Sequence, residues 1–133
     1  MPHAVKIVKE LDGDRHLIIR VFIKGDGVSN DLAGHTIMDP RTTPLPTLPG
    51  EPFATIEEVW FDLDGFNIRL DFDDVVDPPA WTLSQSASNY VDFRSMGGIA
   101  DRSGLDGTGK LLLSTIGLDT EVKQGTIIIK MRK

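Results

Sequence analysis

Three histidines, a glycine-rich run ending in lysine and a string of aspartates are the residues of this 133-residue chain whose types suggest chemistry. The histidines stand at positions 3, 16 and 35. None is spaced i, i+2 or i, i+4 from another, the spacings that put two imidazoles on one metal ion. Gly104 to Lys110 reads G-L-D-G-T-G-K, most of a phosphate-binding loop. That loop needs a strand before it, a helix after it, and Ser or Thr following the lysine to hold magnesium. Leu111 takes that place, and Leu111-Leu112-Leu113 reads as strand. The run is therefore read as a glycine-rich hairpin loop with a solvated lysine. Serines 84, 86, 88, 95, 103 and 114 lack a nucleophile-elbow setting, and no G-x-S-x-G occurs. The chain has no cysteine, which excludes disulfides, thiol nucleophiles, iron–sulfur clusters and cysteine-ligated zinc.

Asp71, Asp73, Asp74 and Asp77 follow closely on Asp62 and Asp64. Converging carboxylates bind calcium, which takes about six to eight oxygens. The EF-hand loop pattern is absent, and a solvated strand face accounts for the same residues. Glycoside hydrolysis would need a cleft between paired carboxylates, of which the sequence gives no sign. Trp60, Phe61, Trp81, Tyr90 and Phe93 offer either a sugar-stacking platform or core. In an alternating strand Trp60 and Phe61 cannot share a face, so one of them points outward.

The formal net charge is −6, the wrong balance for neutralising nucleic-acid phosphates, so nucleic acid is not an expected partner. Lys130, Arg132 and Lys133 read as a solvated strand end. Met1 to Lys6 lacks the apolar run of a signal peptide, and no stretch approaches the ~20 apolar residues of a membrane span. The expectation is a protein made in the cytosol, with no membrane partner. The length suits one domain able to bury a core without metal or disulfide.

Gly and Pro punctuate the whole chain, and no amphipathic helical stretch of useful length appears. Val5 and Ile7 alternate with polar residues, Asp12-Gly13 supplies a turn, and His16 to Lys24 is rich in β-branched and aromatic residues. These predict a β-hairpin. A short strand is expected at Thr36 to Met38. Five prolines between Pro40 and Pro52 then predict an extended arm or long loop over 40–53. Thr55 to Phe61 and Phe66 to Asp73 read as a second hairpin turning at Asp62 to Gly65. Phe66, Ile68, Leu70 and Phe72 would share its buried face, and Asn67, Arg69, Asp71 and Asp73 its wet one. Short strands are expected near Trp81 to Leu83 and Tyr90 to Phe93, and a long loop over Arg94 to Gly109. Lys110 to Ile116 and Thr126 to Met131 read as the last strands, the latter an edge. About eight or nine short strands predict an all-β fold, an antiparallel, jelly-roll-like β-sandwich forming a single domain over residues 1–133.

Two stretches carry a resemblance. T-I-E-E-V-W-F-D-L-D-G-F-N-I-R-L-D-F-D, from Thr55 to Asp73, is one. V-D-F-R-S-M-G-G-I-A-D-R-S-G-L-D-G-T-G-K-L-L-L-S-T-I-G, from Val91 to Gly117, is the other. With the first hairpin and its G-D-G-V-S turn, the chain resembles small virion structural proteins of tailed bacteriophages. The resemblance implies no catalytic residue and no cofactor. It implies a place in the virion, as a capsid decoration or cement protein that binds the major capsid protein or another virion protein, or as a head–tail or tail component.

A cement role suits a rigid body with reaching segments. Proline lowers the entropy lost when an extended arm docks. The expected contacts are Thr42, Pro44, Leu45, Pro46 and Leu48 in the arm, and Arg94, Met96 and Arg102 in the long loop. The leucines would anchor and the arginines would meet carboxylates. The same residues also fit loops packed on their own domain. Self-association as a trimer or dimer is expected. Two rival readings stay open: a carbohydrate-binding module, with exposed aromatics beside an acidic calcium site, and a hydrolase, with a cleft of convergent titratable groups.

Overall fold

The computed structural model describes residues 3–13, 15–27, 31–39, 55–73, 79–84, 89–100, 110–118 and 123–132. Among the described residues ten strands occur in this order: β1 Ala4–Asp12, β2 His16–Lys24, β3 His35–Met38, β4 Thr55–Leu63, β5 Asn67–Phe72, β6 Pro79–Leu83, β7 Tyr90–Asp92, β8 Ile99–Ala100, β9 Leu111–Ile116 and β10 Gln124–Arg132. A 3-10 turn at Arg94–Met96 is the one helical element among the described residues. One sheet runs β1-β2-β10-β4-β7, with β8 also on β4; the other runs β3-β9-β5-β6. Every pairing is antiparallel.

The order has a simple logic. β2 pairs with β10, β3 with β9, β4 with β7 and β5 with β6. Those pairs are the rungs of one long hairpin, rolled so that successive rungs alternate between the sheets. This is a jelly roll. β1 extends it beyond β2, and β8 continues the β7 margin along β4.

Alternation places the core between the sheets. Leu17, Ile19, Val21 and Ile23 of β2 and Ile127, Ile129 and Met131 of β10 face Ile68, Leu70, Leu111 and Leu113 across one buried cluster. Burying such side chains stabilises by about 1.5–3 kcal/mol each. Gly125 keeps the cluster close. A Cβ there would lie 2.8 Å from Phe66 and 2.9 Å from Leu63.

The first hairpin forms as its alternation predicts, with β1 against β2. Four other expectations are corrected. First, β4 and β5 are not a hairpin. β4 continues to Leu63 beside β10, whereas β5 pairs with β9 and β6 in the opposite sheet. Asp64 still donates its N–H to the Gln124 carbonyl, Gly65 turns with φ 84°, and Phe66 plugs the core at the crossing. Second, Asp71 is not wet. It is buried, and Arg69, two residues earlier, donates to its Oδ2 from Nε at 3.1 Å and Nη2 at 3.0 Å. Third, Thr126 to Met131 is no edge, because β10 lies between β2 and β4. Fourth, the loop expected from Arg94 begins with ordered structure, the 3-10 turn and then β8.

Candidate partner-binding surface

The outer face of the larger sheet carries its most unusual local feature on β4. Lys130 is opposite Glu58, and the next residue, Met131, is opposite Ile56, so Glu57 is an extra residue, a bulge. The bulge resets the alternation. Ile56 and Val59, three residues apart, both face the core, and two successive glutamates are left toward the outside. Both are nonetheless buried, because neighbouring strands lay cations over them.

Glu58 accepts a hydrogen bond from the Tyr90 hydroxyl at 2.9 Å. Arg94 Nη1 lies 3.1 Å from it and Lys130 Nζ 3.8 Å. Glu57 meets His16 Nε2 at 3.3 Å and Arg132 Nη1 at 3.5 Å. Its Oε1 receives no well-aligned hydrogen bond among the described residues. Arg94 also grips Asp92, Nε on Oδ1 at 3.0 Å and Nη2 on Oδ2 at 2.9 Å, and its backbone N–H donates to Oδ1 at 2.9 Å. Those bonds hold the Asp92 carboxyl down to about 2. They also hold Arg94 charged above its ordinary range. Loss of water around Tyr90, together with the bond it gives Glu58, pushes its phenol up.

Beside this network stands an aromatic pair. Val8, Arg20, Ile128, Trp60 and Tyr90 form one row across five strands. Trp60 and Tyr90 are exposed, their ring centres 5.3 Å apart and planes inclined by 32°. Phe22, one row along, is exposed too, with the Arg20 guanidinium 4.9 Å from its ring centre. It opens onto a hollow of about 600 Å³ shared with Lys6, Lys24, Asp62 and Asp64. Such a face offers ring stacking, forked charge recognition and hydrogen bonds. Its carboxylates are already matched by cations of the same chain.

The residues singled out in the sequence are distributed as follows. Arg94 and Met96 sit on the 3-10 turn at the margin of this face. Arg94 spends its fork on Asp92 and Glu58, while Met96 is 64% exposed. Thr42, Pro44, Leu45, Pro46, Leu48 and Arg102 lie outside the described residues, as does the Pro-rich 40–53 segment. Trp60 is the outward member of its pair and Phe61 the buried one. Phe93 is core, and Trp81 packs edge-on against it at 4.9 Å.

The histidines are dispersed. His3 precedes β1 and accepts the Asp26 N–H at 3.1 Å, whereas His16 opens β2 at the other end of the hairpin. Of the aspartates, Asp71 is engaged by Arg69, and Asp74 and Asp77 lie outside the described residues. Among the described residues no group of three or more His, Asp or Glu is placed to hold a metal ion.

Sequence reasoning missed the Glu57–Glu58 network. One signal was present: Ile56 and Val59 are both apolar at a spacing of three, and burying both on one face of a strand requires an extra residue between them. Comparison with models of known families, with curated proteins and with solved structures finds no match for this chain.

Proposed function

We propose that this chain is a non-enzymatic structural component of a tailed-bacteriophage particle, a capsid decoration or cement protein that bridges neighbouring major capsid subunits. The observation that carries the reading is the jelly-roll winding itself, an architecture used by viral capsid and lectin domains. The resemblance of Thr55 to Asp73 and Val91 to Gly117 to small virion proteins supports the same reading. A body closed around one core suits a part that adds stiffness to a shell. Many copies on a symmetric lattice make weak individual contacts collectively strong.

Cosedimentation tests it. Expanded capsids should carry the purified chain into the pellet at a saturating, fixed ratio. Pelleting with tails or portals instead would move the role to the head–tail junction or tail and reject cementing. Binding to no particle component would end the reading. Leu45→Asp with Leu48→Asp should weaken capsid binding and leave the fold intact.

A second reading is favoured by the exposed Trp60–Tyr90 pair, which suits stacking against a sugar ring. It makes the chain a carbohydrate-binding module. A glycan array separates the two, since sugar binding abolished by Trp60→Ala supports the module and an empty array removes it.

A further inference from the structure

Three of the four sheet margins are short or broken. β3 has four residues and a register shift. β6 has five, begins with proline and shifts register at Asp71. The β7–β8 margin is three residues, a turn, then two. Such features keep foreign strands away. β1 also has a register shift, at Glu10 between Lys9 and Leu11, but it is nine residues long, pairs with β2 along its length on both sides of that shift, and has no strand on its other side among the described residues. It also carries exposed apolar side chains, Ile7 and Leu11. Ile7 shares a shallow hollow of about 200 Å³ with Ile37 and Met38 on the inner side of the sheet.

We infer that β1 is a self-association edge, pairing antiparallel with β1 of a second copy across a two-fold axis at Val8. The charge pattern favours a second copy as the occupant and one register over its neighbours. In A-V-K-I-V-K-E-L-D, centring on Val8 sets Lys6 opposite Glu10 of the other copy, twice by symmetry. It sets Val8 on Val8, and brings the two Ile7 side chains into diagonal contact. Centring on Ile7 sets Lys6 against Val8 and Val5 against Lys9 of the other copy, with no ion pair. Centring on Lys9 sets lysine on lysine. Neither register forms the Lys6–Glu10 pair, and like charges directly opposite are unfavourable, so both are disfavoured. Lys6 and Glu10 are both exposed and within reach of such a partner, although Glu10 also meets Arg20 at 2.7 Å. The result is one continuous sheet through both copies. It goes beyond the proposed role and does not depend on it, because no particle is needed to observe it.

The full chain should sediment and scatter as a dimer at micromolar concentration. Because the chain has no cysteine, Val8→Cys gives a single thiol, and antiparallel neighbours stand at a Cα separation of about 4.5–5.5 Å, suitable for a disulfide. Mild oxidation should crosslink Val8→Cys quickly. Thr82→Cys, on the exposed margin of the other sheet, should crosslink slowly. Lys6→Glu and Glu10→Lys should each weaken the dimer at least about fivefold, and the double swap should restore it. A chain that stays monomeric overturns the inference. So does a dimer in which Val8→Cys crosslinks no faster than Thr82→Cys, or one that the double swap fails to restore. Capsid binding read separately distinguishes failure here from failure of the particle role.

Discussion

The two margins of the larger sheet are finished on opposite plans. Beyond β4 the backbone is withdrawn in fragments: β7, a 3-10 turn, two glycines with φ 84° and 85°, then β8. Side chains tie this margin down, through Tyr90 and Arg94 on Glu58, Arg94 on Asp92, and Arg132 donating to the Gly97 carbonyl at 3.3 Å. Beyond β2 the opposite holds. β1 runs long, broken only by a register shift between Lys9 and Leu11. A margin can be closed by removing its regular backbone or left as a template for another chain. This molecule does the first on one side and keeps the second on the other.

The sharpest way to break that contrast is at Gly98. A Cβ there would run into Thr55 Cγ2 and lie 2.9 Å from the Ile56 carbonyl oxygen, at a left-handed φ of 85°. Gly98→Ala should cost about 3 kcal/mol, adding backbone strain to overpacking. Val8→Ala on the open margin should cost under about 1 kcal/mol. Urea denaturation measures both, and equal losses would refute the asymmetry. Next in size is Glu58→Ala, which leaves Arg94 and Lys130 without their shared carboxylate. Complete burial of such a network would cost about 3–5 kcal/mol on breaking it. Because Arg94 is half exposed, screening should reduce the loss to about 1–2 kcal/mol. Hydrogen exchange should then rise first in β7.

The same contrast explains what the sequence makes legible. Alternation reports which side of a strand is buried, so β2, β5 and the opposite facing of Trp60 and Phe61 can be read directly, though not which of the two is outward. The β1–β2 hairpin is legible as well, because its partners adjoin in the chain. Alternation does not report which neighbour supplies the hydrogen bonds. β4 and β5 each show the right face, yet they lie in different sheets, and the jelly roll sends both to distant partners. The candidate surface is hidden for a similar reason. Trp60 and Tyr90 come from separate strands, and only β4–β7 pairing makes them adjacent. Asp71 reads as wet because its position alternates outward, and alternation reports neither its burial nor the Arg69 guanidinium that reaches it from two residues back on the same strand.

Acid should separate two kinds of anchored carboxylate. Asp31 fastens the link between β2 and β3 to the end of β9, accepting from Leu118 N–H at 2.7 Å, Gly117 N–H at 3.1 Å and the Thr115 hydroxyl at 3.0 Å. Burial pushes its carboxyl up, but the Leu118 and Gly117 amides and the Thr115 hydroxyl outweigh that and hold it below the usual range. A folded value below the unfolded one means that the stabilisation is complete above about pH 4 and fades as pH falls through the folded value. Asp92 follows the same sign, fading toward its value of about 2, but on an exposed margin where solvent screens it. Asp31→Ala should therefore cost about 1–2 kcal/mol near neutrality and flatten the acid limb of the stability curve. Asp92→Asn should flatten that limb only slightly. Urea midpoints taken between pH 2 and pH 7 test this, and an equal flattening by both would mean that exposed Arg94 anchors its margin as firmly as backbone amides anchor the β2–β3 link.

The smallest expected change in stability is the most informative about function. Met96 stands at the outer corner of the closed margin, 64% exposed, on a turn whose own bonds run through the Phe93 and Arg94 carbonyls. Met96→Ala removes flexible apolar surface without disturbing those bonds, so stability should move by less than about 0.5 kcal/mol. A side chain held out on a rigid turn has paid little entropy in advance, and its worth appears only when a partner covers it. If this corner meets a capsid subunit, the substitution should weaken cosedimentation about fivefold or more while leaving the β1 dimer untouched. Unchanged capsid binding at unchanged stability would remove the corner from the contact surface. The closed margin would then be only a protected edge, and the search for the capsid contact would pass to the Trp60–Tyr90 face beside it.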